Sequence, residues 1–392
     1  MVNLLIAGDF CPNSRVKKLI DSEDYNIVFE NIKPIVNGSG YSVLNLECTI
    51  VSDENTSPID KCGPNLKQSP KVLDSIKFAG FNCVTLANNH FSDFGHEGAI
   101  QTLRALENAG LDYVGGGKNL SDAAKILYKK INGHTLAVVN FCENEFTIAT
   151  STSGGANPLN PVDNFYKIQE AKRNANYVIV IIHGGPEHYQ LPTPRMQKTY
   201  RFFVDAGADV VVNHHQHCYS GYEIYKEKLI FYGLGNFCFD IETKRNDAWN
   251  EGFMLTLSFS KERIDYKLIP YKQGDTNPGI VLMKDDELVT FQNKIEMLNE
   301  IISNPELLVA SYRKFIEDTS MDYINVFNPY MNKWLRRLKK RNLLPAFIEN
   351  ELAVEYLTKE RLLNLISFIQ CESHAERCLN SLKYYYNTRI KK

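Results

Sequence analysis

Short apolar runs recur along the first 270 positions, and each gives way abruptly to polar side chains. The runs at 2–7, 41–46, 83–86, 177–182, 210–212 and 228–232 predict buried strands. Apolar spacing of three and four predicts helices over 16–20, 25–35, 70–79, 96–109, 162–175 and 194–206. Gly80, Gly110 and Gly207 stand where such helices close. Segments 123–130 and 134–141 flank Asn132-Gly133, a strong hairpin signal, and 252–260 with 263–270 predicts a second hairpin. Gly115-Gly116-Gly117 lacks a GxGxxG context and reads as a flexible turn. Residues 53–65 form a polar loop, and residues 143–161 a loop bordering the site. From residue 285 onward the spacing is helical, with breaks near Pro305, Pro329 and Pro345.

The strands run out into chemically similar residues. Six of them end in Asp9, Glu47, Asn89-His90, His183, His215 with His217, and Asn236. The C-terminal edge of an α/β sheet is where sites form. If these strands share one sheet, the groups converge on one cleft. The densest cluster is His214-His215-Gln216-His217, directly after Val210-Val211-Val212, and imidazole is the commonest side-chain ligand for transition metals. A His and carboxylate set of this size suits one or two divalent ions, which acidify water and neutralise a phosphoryl group. His90 and Glu187 are candidate catalytic groups. Arg15, Asp93, His188, His214 and Asn236 are candidate substrate contacts, Arg15 through its fork of donors.

Composition narrows the class. A chain of 392 residues with net charge −2 and no basic half argues against general nucleic-acid binding. No apolar run reaches membrane-spanning length. The nine cysteines are scattered, without a CxxC pair. With no secretory signal at the start, they read as reduced thiols of a cytoplasmic protein. Trp334 and Tyr384-Tyr385-Tyr386, among Arg336, Arg337, Lys339, Lys340 and Arg341, offer either a helical cap with a solvated face or a dock for an anionic polymer.

The blocks Gly8-Asp9, Asn45-Leu46-Glu47, Asn88-Asn89-His90 with Asp93 and Gly95, His183-x-Gly-x-Glu187, His214-His215-Gln216-His217 and Gly235-Asn236-Phe237 occur in that order. In this the chain resembles the CapA family of capsule and poly-γ-glutamate synthesis proteins, related to calcineurin-like metallophosphoesterases. The resemblance covers residues 3–270. It implies a four-layer αββα sandwich of two mixed sheets, placed over residues 1–283, and the helical spacing beyond it makes 284–392 a helical C-terminal region. It implies Asp9, Asn89, His183, His215 and His217 as metal ligands and Glu47 in the place of a bridging aspartate. His90 then stands at the scissile phosphate. The related first block is Asp-x-His, whereas position 11 here is Cys. A thiolate there favours zinc, and otherwise manganese or iron fits the mixed nitrogen and oxygen set. The implied function is a metal-dependent phosphoester hydrolase in surface-polymer synthesis, acting on a phosphorylated glycan or small molecule. The alternatives are a non-hydrolytic subunit that binds an anionic polymer beside a membrane synthase, and an amide hydrolase on a polyglutamate-like chain.

Overall fold

The computed structural model describes residues 2–326 except 54, 62, 261 and 262, together with 337, 338, 341 and 343. In chain order the main elements are β1 (Val2–Phe10), α1 (Ser14–Asp21), β2 (Tyr41–Leu46), α2 (Lys71–Ala79), β3 (Cys83–Thr85), α3 (Gly95–Ala109) and β4 (Asp112–Val114). Next come β5 (Leu127–Ile131), β6 (His134–Cys142), α4 (Pro161–Asn174), β7 (Tyr177–His183), α5 (Pro194–Ala206) and β8 (Val210–His214). The remainder is β9 (Tyr222–Tyr225), β10 (Lys228–Phe231), β11 (Asn236–Cys238), β12 (Glu251–Phe259), β13 (Ile264–Gln273), β14 (Ile280–Leu282), α6 (Asp285–Ser303) and α7 (Pro305–Val326).

Two mixed sheets carry the site. The first has the order β14-β13-β12-β1-β2-β3-β4, with β11 also paired to β1. The second has the order β9-β10-β8-β7-β6-β5. In the first sheet β1 to β4 run parallel and β12 to β14 add antiparallel strands on one side only, whereas in the second β10, β8, β7 and β6 run parallel and antiparallel β9 and β5 close both edges. Side-chain alternation explains the layering. Leu4, Ile6 and Val43 join one core with Val138, Val180 and Val211 of the second sheet. Their neighbours Leu5, Ala7 and Leu44 face the other way, into a core with Ile20, Leu73, Ile76 and Leu103 of the helices. Helices α4 and α5 cover the outer face of the second sheet, through Ile168 and Phe203. The central strands are apolar on both faces because both faces are covered. The result is the αββα sandwich that the sequence implies.

The site residues come from both sheets. Asp9, Glu47 and Asn89-His90 leave the first sheet, and His183 and the 214–217 cluster leave the second. The two sheets are packed face to face, so their edges supply one cleft jointly. Asn236 does not end the strand before it. It opens β11 and lies in register with Asp9. Gly8 makes this approach possible, because a Cβ there stands 1.9 Å from the carbonyl oxygen of Gly235. Gly115-Gly116-Gly117 is not a flexible turn either. Gly116–Gly117 pairs with Gly155–Ala156, and a Cβ on Gly115 meets Asn140 Oδ1 at 1.9 Å.

The chain divides into two compact units, Met1–Tyr312 and Arg313–Lys392. Helix α6 belongs to the first and buries Phe291, Ile295, Leu298 and Ile302. Trp334, Arg336, Lys339, Lys340 and Tyr384 to Tyr386 lie outside the described residues, so the docking surface read from them has no structural account. Among the described residues no helix is long and apolar enough to cross a membrane.

Candidate metal centre

The floor of the cleft is built from β1 and β2. Asp9 Oδ1 accepts from Asn45 Nδ2 at 2.7 Å, and Oδ2 accepts from the backbone N–H of His215 at 3.1 Å. Asn45 in turn accepts from Thr85 Oγ1 and Asn88 Nδ2, which ties three strand ends together. One residue past β2 stands Glu47, completely buried. Among the described residues neither of its carboxylate oxygens has a hydrogen-bond partner.

The second sheet brings the imidazoles opposite. His183 Nε2 lies 3.0 Å from Asn89 Oδ1, 3.0 Å from His215 Nδ1 and 3.4 Å from Glu47 Oε1. His217 Nε2 lies 3.7 Å from the same Glu47 Oε1. Two groups able to hold a cation result. Glu47, His183 and His215 offer ligand atoms within 4.8 Å of one another, and so do Asp9, Glu47 and His217. Glu47 is common to both. Placing these rings takes an unusual backbone: φ is 90° at His215 and 56° at His217. Such conformations in bulky residues cost energy and concentrate at functional sites.

Asn236 fixes the tautomer of His217. Its side-chain amide donates to the carbonyls of His217 and Trp249, so its Oδ1 is the atom that meets His217 Nδ1 at 2.9 Å. Nδ1 therefore carries the hydrogen, and Nε2 keeps its lone pair for the centre. This corrects the expectation that Asn236 touches substrate, since every polar atom of its side chain is already engaged. Asn236→Ala is expected to weaken ion binding at the Asp9 and His217 half by about 10- to 100-fold, read by metal titration.

Burial sets the electrostatics. It pushes Asp9 up to about 7 and Glu47 well above the usual carboxylate range, Glu47 further because Asp9 lies close. His183 and His217 are driven well below the ordinary imidazole value by burial and by the neighbouring imidazoles, and His215 falls for the same first reason. Two buried carboxyl groups, one of them (Glu47) without a donor, facing neutral imidazoles, are costly as they stand. A divalent cation resolves both halves of that cost, so the residues present fit such an ion.

His90 sits beside this set with Nδ1 2.6 Å from Asp93 Oδ2. That carboxylate accepts the Nδ1 hydrogen, so Nε2 is the ring nitrogen it leaves unengaged. Asp93 is fully buried and also accepts from Leu66 N at 2.6 Å. It orients His90 and does not reach a substrate, which corrects its expected role. Arg15 is corrected too. Its guanidinium grips Asp240 through Nε at 3.1 Å and Nη2 at 2.9 Å, and also donates to the carbonyls of Gly274, Asp275 and Thr276. No donor fork is left for an anion. His214 is buried, with Nδ1 3.5 Å from Asp9 Oδ1 and neither ring nitrogen hydrogen-bonded among the described residues. Burial takes it down to about 3, a neutral ring packed beside Asp9 and not a substrate contact.

Glu187 and His188 are half exposed at the rim. The His188 ring lies 5.7 Å from Trp249, whose indole lies 4.6 Å from His217. Glu143 and Glu145 come from the loop after β6, as expected of a segment bordering the site. Glu143 accepts from Gly185 N and pairs with Arg195, and burial raises Glu145. Cys11 belongs to neither cation-holding group. It is buried beside Cys48, and Asn13 Nδ2 lies 3.7 Å from its sulfur. A thiolate ligand at the position of the expected histidine therefore has no support in the geometry.

Asn45, Trp249 and Lys61 also belong to the site, and strand-end patterns assign a role to none of them. Asn45 leaves a signal, an amide inside an apolar strand. Lys61 leaves none, because a lysine in a polar loop looks like any solvated residue.

Fold and site together define an αββα sandwich protein with a buried carboxylate–histidine centre at the shared edge of its two sheets. The chain belongs to the bacterial capsule synthesis protein family PGA_cap, whose sequence profile matches residues 3–241. It is 34% identical over 247 residues to the capsule biosynthesis protein CapA of Bacillus anthracis, covering 61% of this chain and 60% of that one. It is 36% identical over 239 residues to the PGA biosynthesis protein CapA of Bacillus subtilis (strain 168), covering 59% and 62%. The match thus spans about three-fifths of each of these relatives. A "Probable polyglutamine synthesis accessory protein" of Mycobacterium tuberculosis is 27% identical over 219 residues, covering 51% and 56%. Among solved structures, a hypothetical protein from Thermus thermophilus superposes with a TM-score of 0.45 at 14% identity, covering 69% of this chain and 100% of that one. A 5'-nucleotidase precursor from the same organism gives 0.37 at 12% identity, covering 77% and 59%. Likeness at that level identifies no activity.

Proposed function

We propose that this protein is a divalent-metal-dependent hydrolase of phosphoester bonds that serves the synthesis of a surface polymer. The observation that carries the reading is Glu47: a buried carboxylate with no hydrogen-bond donor among the described residues, shared by two groups of ligand-competent side chains. Asp9, Glu47 and His217 would hold one ion, and Glu47, Asn89, His183 and His215 a second. Bound there, divalent ions supply Lewis acidity toward water and a phosphoryl oxygen. The chain's own residues do the rest. Asn236 holds His217 in the ligating tautomer, Asn45 and the His215 N–H hold Asp9, and Asp93 orients His90, whose doubly protonated ring would give the Nε2 proton to the departing oxygen and keep its Nδ1–H on Asp93. The polymer setting is supported by family membership and by what the Bacillus relatives are called.

The test is turnover of bis-p-nitrophenyl phosphate by protein loaded with Mn2+ or Zn2+. Hydrolysis that disappears in His217→Ala is the expected result. Metal-loaded protein with no turnover on aryl or alkyl phosphodiesters and monoesters would sink it.

The second reading is an accessory subunit of a polymer synthase that binds an anionic chain without hydrolysis. Cys11 favours it, since the ring expected there is replaced by a buried thiol outside both cation-holding groups. The same assay separates the two, because the accessory protein binds metal and turns nothing over.

A further inference from the structure

Lys61 comes from the loop before α2, yet its side chain is only 3% exposed. A buried ammonium has to find charge and acceptors within the protein. Lys61 finds them at one turn of chain, Asn89 to Asp93. Nζ pairs with Asp93 Oδ1, donates to the carbonyl oxygen of Asn89 at 3.1 Å, and stands 3.1 Å from His90 Nδ1. The loop around it closes on the same turn. Ile59 N donates to Asp93 O at 2.8 Å, Asn65 Nδ2 donates to Asp93 O at 3.0 Å, and Leu66 N reaches the carboxylate.

We propose that Lys61 is a positioning residue for the metal centre, setting the affinity of the ion that Asn89 serves. The inference rests on the reading of the centre as a metal site. The Asn89 carbonyl belongs to the peptide unit joining Asn89 to His90, so an ammonium bonded to it fixes that peptide plane. The plane sets the directions of both side chains, the Asn89 amide toward His183 and the His90 ring toward the cleft. The opposite half of the centre, with Asp9 and His217, hangs on β1, Asn45 of β2, the loop after β8 and Asn236. Among the described residues it makes no hydrogen bond to this turn. Lys61 therefore acts directly on one ion and reaches the other only at a remove, through the shared Glu47 and the Asn45–Asn88 link. Groups that hold a ligand from behind change metal affinity by about 10- to 100-fold when removed.

The experiment is calorimetric titration of metal-stripped protein with Mn2+, followed through both binding steps. In Lys61→Met one step is expected to weaken about 10- to 100-fold and the other by much less. Asn89→Ala weakens the same step, and combining the two adds little, as expected of residues acting through one contact. Lys61→Arg, which keeps charge and donors, retains most of the affinity. If Lys61→Met fails to fold, the comparison becomes Lys61→Met with Asp93→Asn against Asp93→Asn alone, which removes the stranded carboxylate. Unchanged affinity at both steps overturns the proposal, as does an equal loss at both, which is general loosening. A wild-type protein that binds no Mn2+ overturns the metal reading itself and takes this inference with it. The two failures are thus distinct.

Discussion

Glu47→Gln is expected to empty the centre of both ions at once, a loss of at least about 1,000-fold in affinity for each. Among the described residues no other single side chain belongs to both cation-holding groups. The amide that replaces it keeps the shape, loses the charge and turns a donor toward the cation. The effect on stability separates this account from a purely structural one. Without metal the buried, donorless carboxylate of wild type is a burden, so metal-free Glu47→Gln should melt at the same temperature as wild type or a few degrees above it. Added Mn2+ should then raise the wild-type midpoint by several degrees, since a ligand at 1,000 times its Kd contributes about 4 kcal/mol. The variant should not respond. Thermal melts of both proteins, with and without Mn2+, read this directly. A Glu47→Gln protein that is less stable without metal, and still stabilised by it, would show that Glu47 serves packing.

The second large effect falls on His90 and depends on what leaves. His90→Asn should keep its metal, because His90 lies outside both cation-holding groups. On a phosphodiester with an alkyl leaving group, kcat should fall by about 100- to 10,000-fold, the range for a lost general acid. On a p-nitrophenyl ester the loss should be under about 10-fold, since p-nitrophenolate departs without a proton. Asp93→Asn should show the same pattern more weakly, because it frees the ring that Asp93 now aims. Comparing kcat on the two esters checks the assignment. Equal losses on both would make His90 a binder of the phosphoryl group and not a proton donor.

Much of this is legible from the chain, for identifiable reasons. Parallel strands buried on both faces leave continuous apolar runs, so the starts of β1, β7 and β8 stand out. The polar residues after them are at the sheet edge by construction. Asp9, Glu47, His183, His215 and His217 can therefore be picked without coordinates. What periodicity cannot carry is partner choice across the chain. Arg15 and Asp240 are 225 residues apart, and nothing local says that the guanidinium is already spent. Asn236 looks like a cleft residue until its three hydrogen bonds are seen. Strand runs do not reveal which sheet they join, so the division of the site residues between two sheets is not legible from them. Lys61 is the extreme case, a charged residue of a polar loop that folds inward to meet Asp93. Its burial depends on where residues 59–66 close, which no residue spacing encodes.

The most direct test of the central claim is the metal content of protein purified without added metal, measured per chain for wild type and Glu47→Gln. The account predicts a divalent transition metal in wild type, approaching two ions per chain when the protein is saturated, and none in the variant. Wild type that stays metal-free after saturation and desalting, or a variant that carries as much metal as wild type, would contradict it.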